Sequence, residues 1–223
     1  MLAKIIIILL AFSPVLTQAQ KKVQLFNHKD LSGWYAYEPG SGKLTNASDL
    51  FSVDKKMIRL YGEKAGYLMS TESFTEFSLT VEFRWNTDTT FMRKNNKKNS
   101  GVMYLVPNNT PDELWPKGIQ FQIKEGATGD FILLKDVTLE VKGEVAGPGA
   151  SVVSKRFADA EKALGEWNTL VVTVKDGKVT QELNGQLVNE GSNPSVSGGR
   201  ILLQYEGFPI DFRKVEILKL DTP

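Results

Sequence analysis

Carboxylate, guanidinium and amide side chains recur at every second position within several apolar segments. Glu82 and Arg84 stand in Phe77-Ser78-Leu79-Thr80-Val81-Glu82-Phe83-Arg84-Trp85, Gln120 and Gln122 in Ile119 to Lys124, Gln204 and Glu206 around Arg200 to Tyr205, and Arg213 in Phe208 to Leu220. A carboxylate accepts hydrogen bonds, a guanidinium donates them and an amide does both, so this set is equipped to hold a ligand rich in hydroxyl and carbonyl groups, such as a sugar. A carboxylate beside such a ligand can also take a proton, and a guanidinium can stabilise the anion left behind. Trp34, Tyr35, Tyr37 and Trp115 offer rings for stacking on a sugar, although each singly also suits a core or rim position. The polar residues equally suit an ordinary solvated sheet face, because half of any two-sided strand points away from the core. Composition by itself leaves the two readings open.

Other chemistries are excluded more firmly. The chain has no P-loop, no dinucleotide fingerprint, no Gly-x-Ser-x-Gly elbow and no His-Glu-x-x-His helix. With one histidine and no cysteine, neither a metal site nor a cofactor is expected. That histidine, His28, sits in Asn27-His28-Lys29-Asp30, a turn composition that predicts a structural or solvated role.

The elements that must position these residues are strands. Phe77 to Trp85 alternates without a break, and Gly101 to Val106, Ile119 to Lys124, Leu170 to Lys175, Lys178 to Leu183, Arg200 to Tyr205 and Phe208 to Leu220 follow the same period. Asp176-Gly177 and Asn184-Gly185 are hairpin turns, so three consecutive strands form a meander. Helical periodicity is confined to Asp159 to Leu164, where one or two turns are expected. The polar stretch Asn86 to Asn99, with Lys94, Lys97 and Lys98, reads as a long loop, as does Val106 to Lys117 around Trp115. Many short strands in one unit predict an all-β sandwich of two antiparallel sheets.

Residues 1 to 19 carry a cation at Lys4, an apolar run Ile5 to Phe12 and a small-residue end at Ala19, the layout of a secretory signal peptide. The expected organisation is therefore a leader over 1–19 and a single domain over 20–223, exported to the periplasm or beyond. No lipoprotein cysteine and no disulfide are available, so stability must come from the core. Lys plus Arg numbers 27 against 26 Asp plus Glu, a balance that argues against nucleic acid or a membrane surface as partner.

Several strings resemble one known family. Leu25-Phe26-Asn27-His28-Lys29-Asp30-Leu31-Ser32-Gly33-Trp34 is similar to the Leu-Phe-Asn-Gly-Lys-Asp-Leu-x-Gly-Trp opening of the domain-of-unknown-function family 1080, the 3-keto-disaccharide hydrolase family. Phe77 to Arg84, Asn99-Ser100-Gly101-Val102, Gly118 to Ile123, Trp167-Asn168, Asn184-Gly185, and Leu203-Gln204 through Gly207 to Phe212-Arg213 follow in the family's order. The resemblance implies a concanavalin-A-like jelly roll as in lectins and glucanases, a carbohydrate ligand, and hydrolysis of 3-keto-glycosides by proton abstraction at C2, elimination and hydration. Carried over, Glu82, Arg84, Asn99, Ser100, Gln122, Gln204 and Arg213 match the family pattern. They imply Glu82 or Glu206 as base, Arg84 or Arg213 as stabiliser of the enolate, and Asn99, Ser100, Gln120, Gln122, Gln204 and Trp115 as substrate contacts.

The chain departs from that pattern at Gln120, where the family carries Glu, at Glu206, where many members carry His, and at Lys214, where Asn is usual. A carboxylate at 206 can replace the one absent at 120; the alternative is a carbohydrate-binding module of the same fold. An ordinary retaining glucanase is disfavoured, since no Glu-x-Asp-x-x-Glu run is present.

Overall fold

The computed structural model describes residues 21–88, 90 and 97–220. The leader assigned to 1–19, and Lys94 in the long polar loop, lie outside the described residues. In chain order the strands are β1 (Lys22–Gln24), β2 (Trp34–Glu38), β3 (Gly42–Leu44), β4 (Ser52–Asp54), β5 (Met57–Leu60), β6 (Gly66–Phe74), β7 (Phe77–Trp85), β8 (Asn99–Val106) and β9 (Gly118–Lys124). They continue as β10 (Phe131–Leu134), β11 (Leu139–Val141), β12 (Glu144–Ala146), β13 (Ser151–Ser154), β14 (Asn168–Lys175), β15 (Lys178–Leu183), β16 (Gln186–Ser192), β17 (Gly199–Tyr205) and β18 (Ile210–Lys219).

Two antiparallel sheets result. The first runs β12-β11-β16-β15-β14-β7-β18-β5-β4, with β1 pairing β18; the second runs β13-β10-β9-β8-β17-β6-β2-β3. Alternation decides which side chains lie between them. In β7, Phe77, Leu79, Val81, Phe83 and Trp85 are buried in the shared core, which turns Ser78, Thr80, Glu82 and Arg84 outward. In the second sheet Val102, Tyr104, Ile119, Phe121, Ile123, Ile201, Leu203 and Tyr205 meet them from the other side. Burying each Leu, Ile or Phe contributes roughly 1.5–3 kcal/mol, and with no disulfide this one contiguous cluster carries the stability. The layers are also tied by a polar link, in which Tyr104 Oη of β8 donates to Gln181 Oε1 of β15 at 3.3 Å.

Local chemistry explains the connections. Asp176-Gly177 (φ 48° and 70°) and Asn184-Gly185 (φ 53° and 82°) place both turn residues in the left-handed region, as the tight turns of the β14-β15-β16 meander require. In β18 the pairing with β7 runs Phe212 to Phe83 and then Lys214 to Glu82, which leaves Arg213 as the extra residue of a bulge.

The structure corrects one expected element. Asp159 to Leu164 forms no helix, because neighbouring side chains take the amides a helix would use. Asp159 Oδ1 accepts from Glu161 N at 3.3 Å, Asn168 Oδ1 from Lys162 N at 2.9 Å, and Glu166 Oε2 from Ala163 N at 3.1 Å. The arrangement tucks Glu161 against Trp85, whose indole N–H donates to it at 3.3 Å.

Burial raises the pKa of Glu161 above the usual carboxylate value, outweighing the lowering by hydrogen bonds from Thr128 and Trp85. For a carboxylate raised in the folded state, the associated stability is present below the unfolded pKa and is lost as pH rises through the folded pKa. Glu161→Gln keeps the acceptor for Trp85 and removes the charge. Its urea midpoint should therefore match that of wild type near about pH 4 and exceed it near about pH 7. Midpoints that run parallel across that range would refute the assignment.

Candidate active site

The second sheet turns a polar row outward. Across its register Tyr37 pairs with Tyr67, Tyr67 with Gln204, Gln204 with Gly101, and Gly101 with Gln122. The neighbours of each along its strand point into the core, so these positions share the opposite face. The adjoining row is largely apolar: Tyr35, Met69, Leu202, Met103 and Ile132 join a second buried cluster with Tyr67, Val106 and Leu134, packed against by Tyr37 and Trp115. Gln120 occupies this row between Met103 and Ile132. A Cβ at Gly101 would lie 2.5 Å from Gln120 Cδ, so it is the bare glycine that lets the Gln120 side chain lie across β8.

A hydrogen-bonded chain links the polar groups. Gln120 Nε2 donates to Gln122 Oε1, Gln122 Nε2 to Asn99 Oδ1 at 3.3 Å, and Asn99 Nδ2 to Glu206 Oε2. From the other side Gln204 Nε2 donates to Glu206 Oε1 at 2.6 Å. An ionised carboxylate can only accept, so Glu206 fixes which end of Asn99 faces it, and through Asn99 the orientation of Gln122 and Gln120. One charge thereby orders a row of amides whose N–H groups all point toward it. Gln204 is 3% exposed and its Oε1 has no hydrogen-bond partner among the described residues. A buried unpaired amide oxygen is costly.

A second polar knot flanks this row. Asp112 accepts from Tyr35 Oη at 2.6 Å and Tyr67 Oη at 3.1 Å, lies 3.5 Å from Lys43 Nζ, and Arg200 Nη1 donates to Tyr35 Oη at 2.7 Å. Burial first, and then the Asp112 carboxylate, push both phenols well above their ordinary pKa, so they stay protonated donors. Tyr37 stacks on Tyr67 with ring centroids 5.1 Å apart and is itself only half-buried.

The structure brings together Asn99, Gln120, Gln122, Gln204 and Glu206, with Trp115 on the adjoining apolar cluster. It does not bring Glu82, Arg84 and Arg213 to them. Those three project from β7 and β18 on the outward face of the first sheet, across the core from Glu206. There Arg84 Nε contacts Asp211 Oδ2 at 3.1 Å and Arg213 Nε contacts Glu82, so the paired groups are ion-pair partners of one another. Ser100 is also placed elsewhere: it points into the core, fully buried, and its Oγ donates to Gln204 O at 2.7 Å. Trp34 likewise lies in the core, its indole N–H bonded to Leu25 O at 2.7 Å.

Sequence reasoning missed Tyr67, Asp112 and Arg200. Neither Tyr67 nor Asp112 carried a signal: Tyr67 stands in the apolar run Tyr67-Leu68-Met69 of β6, which shows no period of two, and Asp112 comes from an irregular loop.

The model of the 3-keto-alpha-glucoside-1,2-lyase-like domain family matches residues 21–218. The chain belongs to this family. Among solved structures it is similar to a Parabacteroides distasonis protein named as a candidate glycosyl hydrolase, with TM-score 0.61 and 18% identity over 90% of this chain and 94% of that one. It is also similar to the Bacillus licheniformis β-glucanase (TM-score 0.56, 13% identity, 91% and 99% covered) and to a Bacillus subtilis carbohydrate-binding module (TM-score 0.51, 13% identity, 82% and 94% covered). At these identities the likeness shows the fold, a glucanase-type jelly roll. No curated protein sequence matches the chain.

Two of the three positions at which the sequence departs from the resemblance described above fall on one network. Gln120 and Glu206 are linked through Gln122 and Asn99, so Glu206 is the carboxylate of this row.

Proposed function

We propose that this protein cleaves 3-keto-glycosides or closely related oxidised sugars on the outward face of the second sheet, with Glu206 as the base. The observation that carries the reading is the convergence of Asn99 and Gln204 on Glu206, extended through Gln122 to Gln120. The family and the carbohydrate-active fold supply the substrate class; the network supplies the chemistry.

A ketone at C3 acidifies the hydrogen on C2. Glu206 is the carboxylate on which the amides of the row converge, and a carboxylate positioned beside C2 can take that proton. The electron pair released from the C2–H bond delocalises onto the C3 oxygen as an enolate. Amide N–H groups on Asn99, Gln122 and Gln204 are the donors in the row that can turn toward it. The enolate then collapses to a C1–C2 double bond, and the C1–O bond breaks with its electrons on the departing oxygen. That oxygen takes up a proton, for which the newly protonated Glu206 is the acid in the network. Addition of water, with OH to C1 and H to C2, gives net hydrolysis. Tyr37, half-buried and stacked on Tyr67, presents a ring beside the row. Export through the leader-like residues 1–19 belongs to the same proposal and would bring the enzyme to sugars outside the cytoplasm.

The test compares a chromogenic 3-keto-glucoside with its unoxidised parent, in D2O. Release from the keto sugar alone, with deuterium incorporated at C2 of the product, is the expected result. Equal release from the parent glucoside would overturn the elimination mechanism. Binding of the keto sugar without turnover would overturn the enzyme reading.

A further inference from the structure

The outward face of the first sheet carries a cleft of about 430 Å³ that the proposed reaction does not use. Arg84 from β7, Arg213 from the β18 bulge, Lys55 and Lys56 from the turn between β4 and β5, His28 from the turn after β1, and Trp167 line it, and no carboxylate is among its lining residues. Both guanidinium groups lie against the same indole, their carbons 4.7 Å (Arg84) and 4.3 Å (Arg213) from the Trp167 ring centroid. Each meets its carboxylate through Nε, Arg84 with Asp211 and Arg213 with Glu82. The terminal nitrogens have no acceptor among the described residues. Two guanidinium forks are thus held in place by ring and carboxylate, with donors to spare.

The backbone supplies an independent observation. Asp54 pairs with Met57, which leaves Lys55-Lys56 as a two-residue hairpin loop with φ of 49° and 62°. That geometry favours Asn-Gly or Asp-Gly, the choice made at Asn184-Gly185 and Asp176-Gly177, and disfavours two long side chains. His28 has φ 62° as well. Lys55 and Lys56 therefore hold strained positions at which their exposed side chains add nothing to the core, a local rule broken without a gain in folding, whereas His28 rests its ring on the core residue Phe26 with centroids 5.0 Å apart.

We propose that this cleft binds the sulfate or carboxylate groups of an acidic polysaccharide. Guanidinium forks match such planar or tetrahedral oxyanions bidentately, and ammonium groups on an open rim suit charges that repeat along a chain. The whole chain carries a formal charge of only +1, so the attraction is local to this face. Nucleic acid is the poorer fit, because the Trp167 ring is engaged by guanidinium and the His28 ring by Phe26, so neither is presented for base stacking.

The test titrates the purified protein with dextran sulfate, polygalacturonate, uncharged dextran, inorganic sulfate, inorganic phosphate and duplex DNA, in wild type and in the double substitution Lys55→Asn, Lys56→Gly. This double substitution installs the turn residues that the hairpin favours, so its thermal midpoint should equal or exceed that of wild type. Its affinity for dextran sulfate or polygalacturonate should fall by about tenfold or more. Lys142→Asn with Lys175→Asn removes the same charge elsewhere on the first sheet and should leave affinity within about twofold. An affinity unchanged by the first pair, an equal loss from the control pair, or tighter binding of DNA or inorganic phosphate than of either acidic polysaccharide would overturn the proposal. The site is independent of Glu206, so loss of turnover on keto sugars leaves it standing.

Discussion

Glu206→Gln is expected to lower kcat on a 3-keto-glucoside by roughly 10²- to 10⁴-fold, the range for removing a positioned general base. The substitution is nearly isosteric, but it replaces an oxygen with an NH2 group that cannot accept from both Asn99 Nδ2 and Gln204 Nε2. One of those amides must turn or lose its partner, and the order imposed on Gln122 and Gln120 is released with it. KM should therefore change as well, while the thermal midpoint stays within a few degrees, because the site lies outside the main core. Stopped-flow or steady-state release of a chromophore measures it directly. A kcat within about threefold of wild type would remove Glu206 from the mechanism.

The largest effect on stability is expected on the other side of the molecule. Asp211 of β18 is fully buried, flanked in its strand by the core residues Ile210 and Phe212. It accepts from Tyr61 Oη, from Asn86 Nδ2 at 3.0 Å and from Arg84 Nε at 3.1 Å, and lies 3.8 Å from Arg59 Nε. Burial first, and then this carboxylate, hold the Tyr61 phenol well above its ordinary pKa, so it remains a donor. Asp211→Ala strips the counter-charge from Arg84, whose side chain is 30% exposed, and removes one of the carboxylates beside Arg59, which is 13% exposed and keeps Asp54 at 2.8 Å. Breaking a buried pair from one side costs about 3–5 kcal/mol, which for a domain of this size lowers the melting temperature by roughly 10 °C. Asp211→Asn keeps two of the contacts and should cost less. A loss under about 1 kcal/mol in urea unfolding for the alanine variant would show that solvent already screens the cluster.

Alternation made the strands legible. Phe77 to Trp85 and Lys178 to Leu183 form β7 and β15 with the bounds the pattern implies, and the Asp-Gly and Asn-Gly turns close the meander. The strands of three or four residues, such as β3, β11 and β12, are too short to show a period and are held by their neighbours in the sheet. The candidate site was half legible for a related reason. A period of two says that Glu82, Arg84, Arg213 and Glu206 all leave the core, but a sandwich has two outward faces and the period is silent about which. Sheet membership, a long-range property, divides those residues between opposite sides. Asp211 could have been read from its place between Ile210 and Phe212, where a carboxylate in the outward phase of a strongly apolar strand needs a partner. Ser100 misled because β8 puts it in the inward phase with Val102 and Tyr104.

The slip in β18 splits that strand into halves of opposite phase: Ile210 and Phe212 face inward before Arg213, Val215 and Ile217 after it. Elsewhere in a paired strand, deleting one residue would swap every later side chain between core and solvent. At Arg213 the same deletion would join the two halves into an unbroken alternation, with Phe212 still against Phe83 and Lys214 still against Glu82. The last long strand thus has one position where the chain can shorten by a residue and keep its core, giving up only a cation on the outer face.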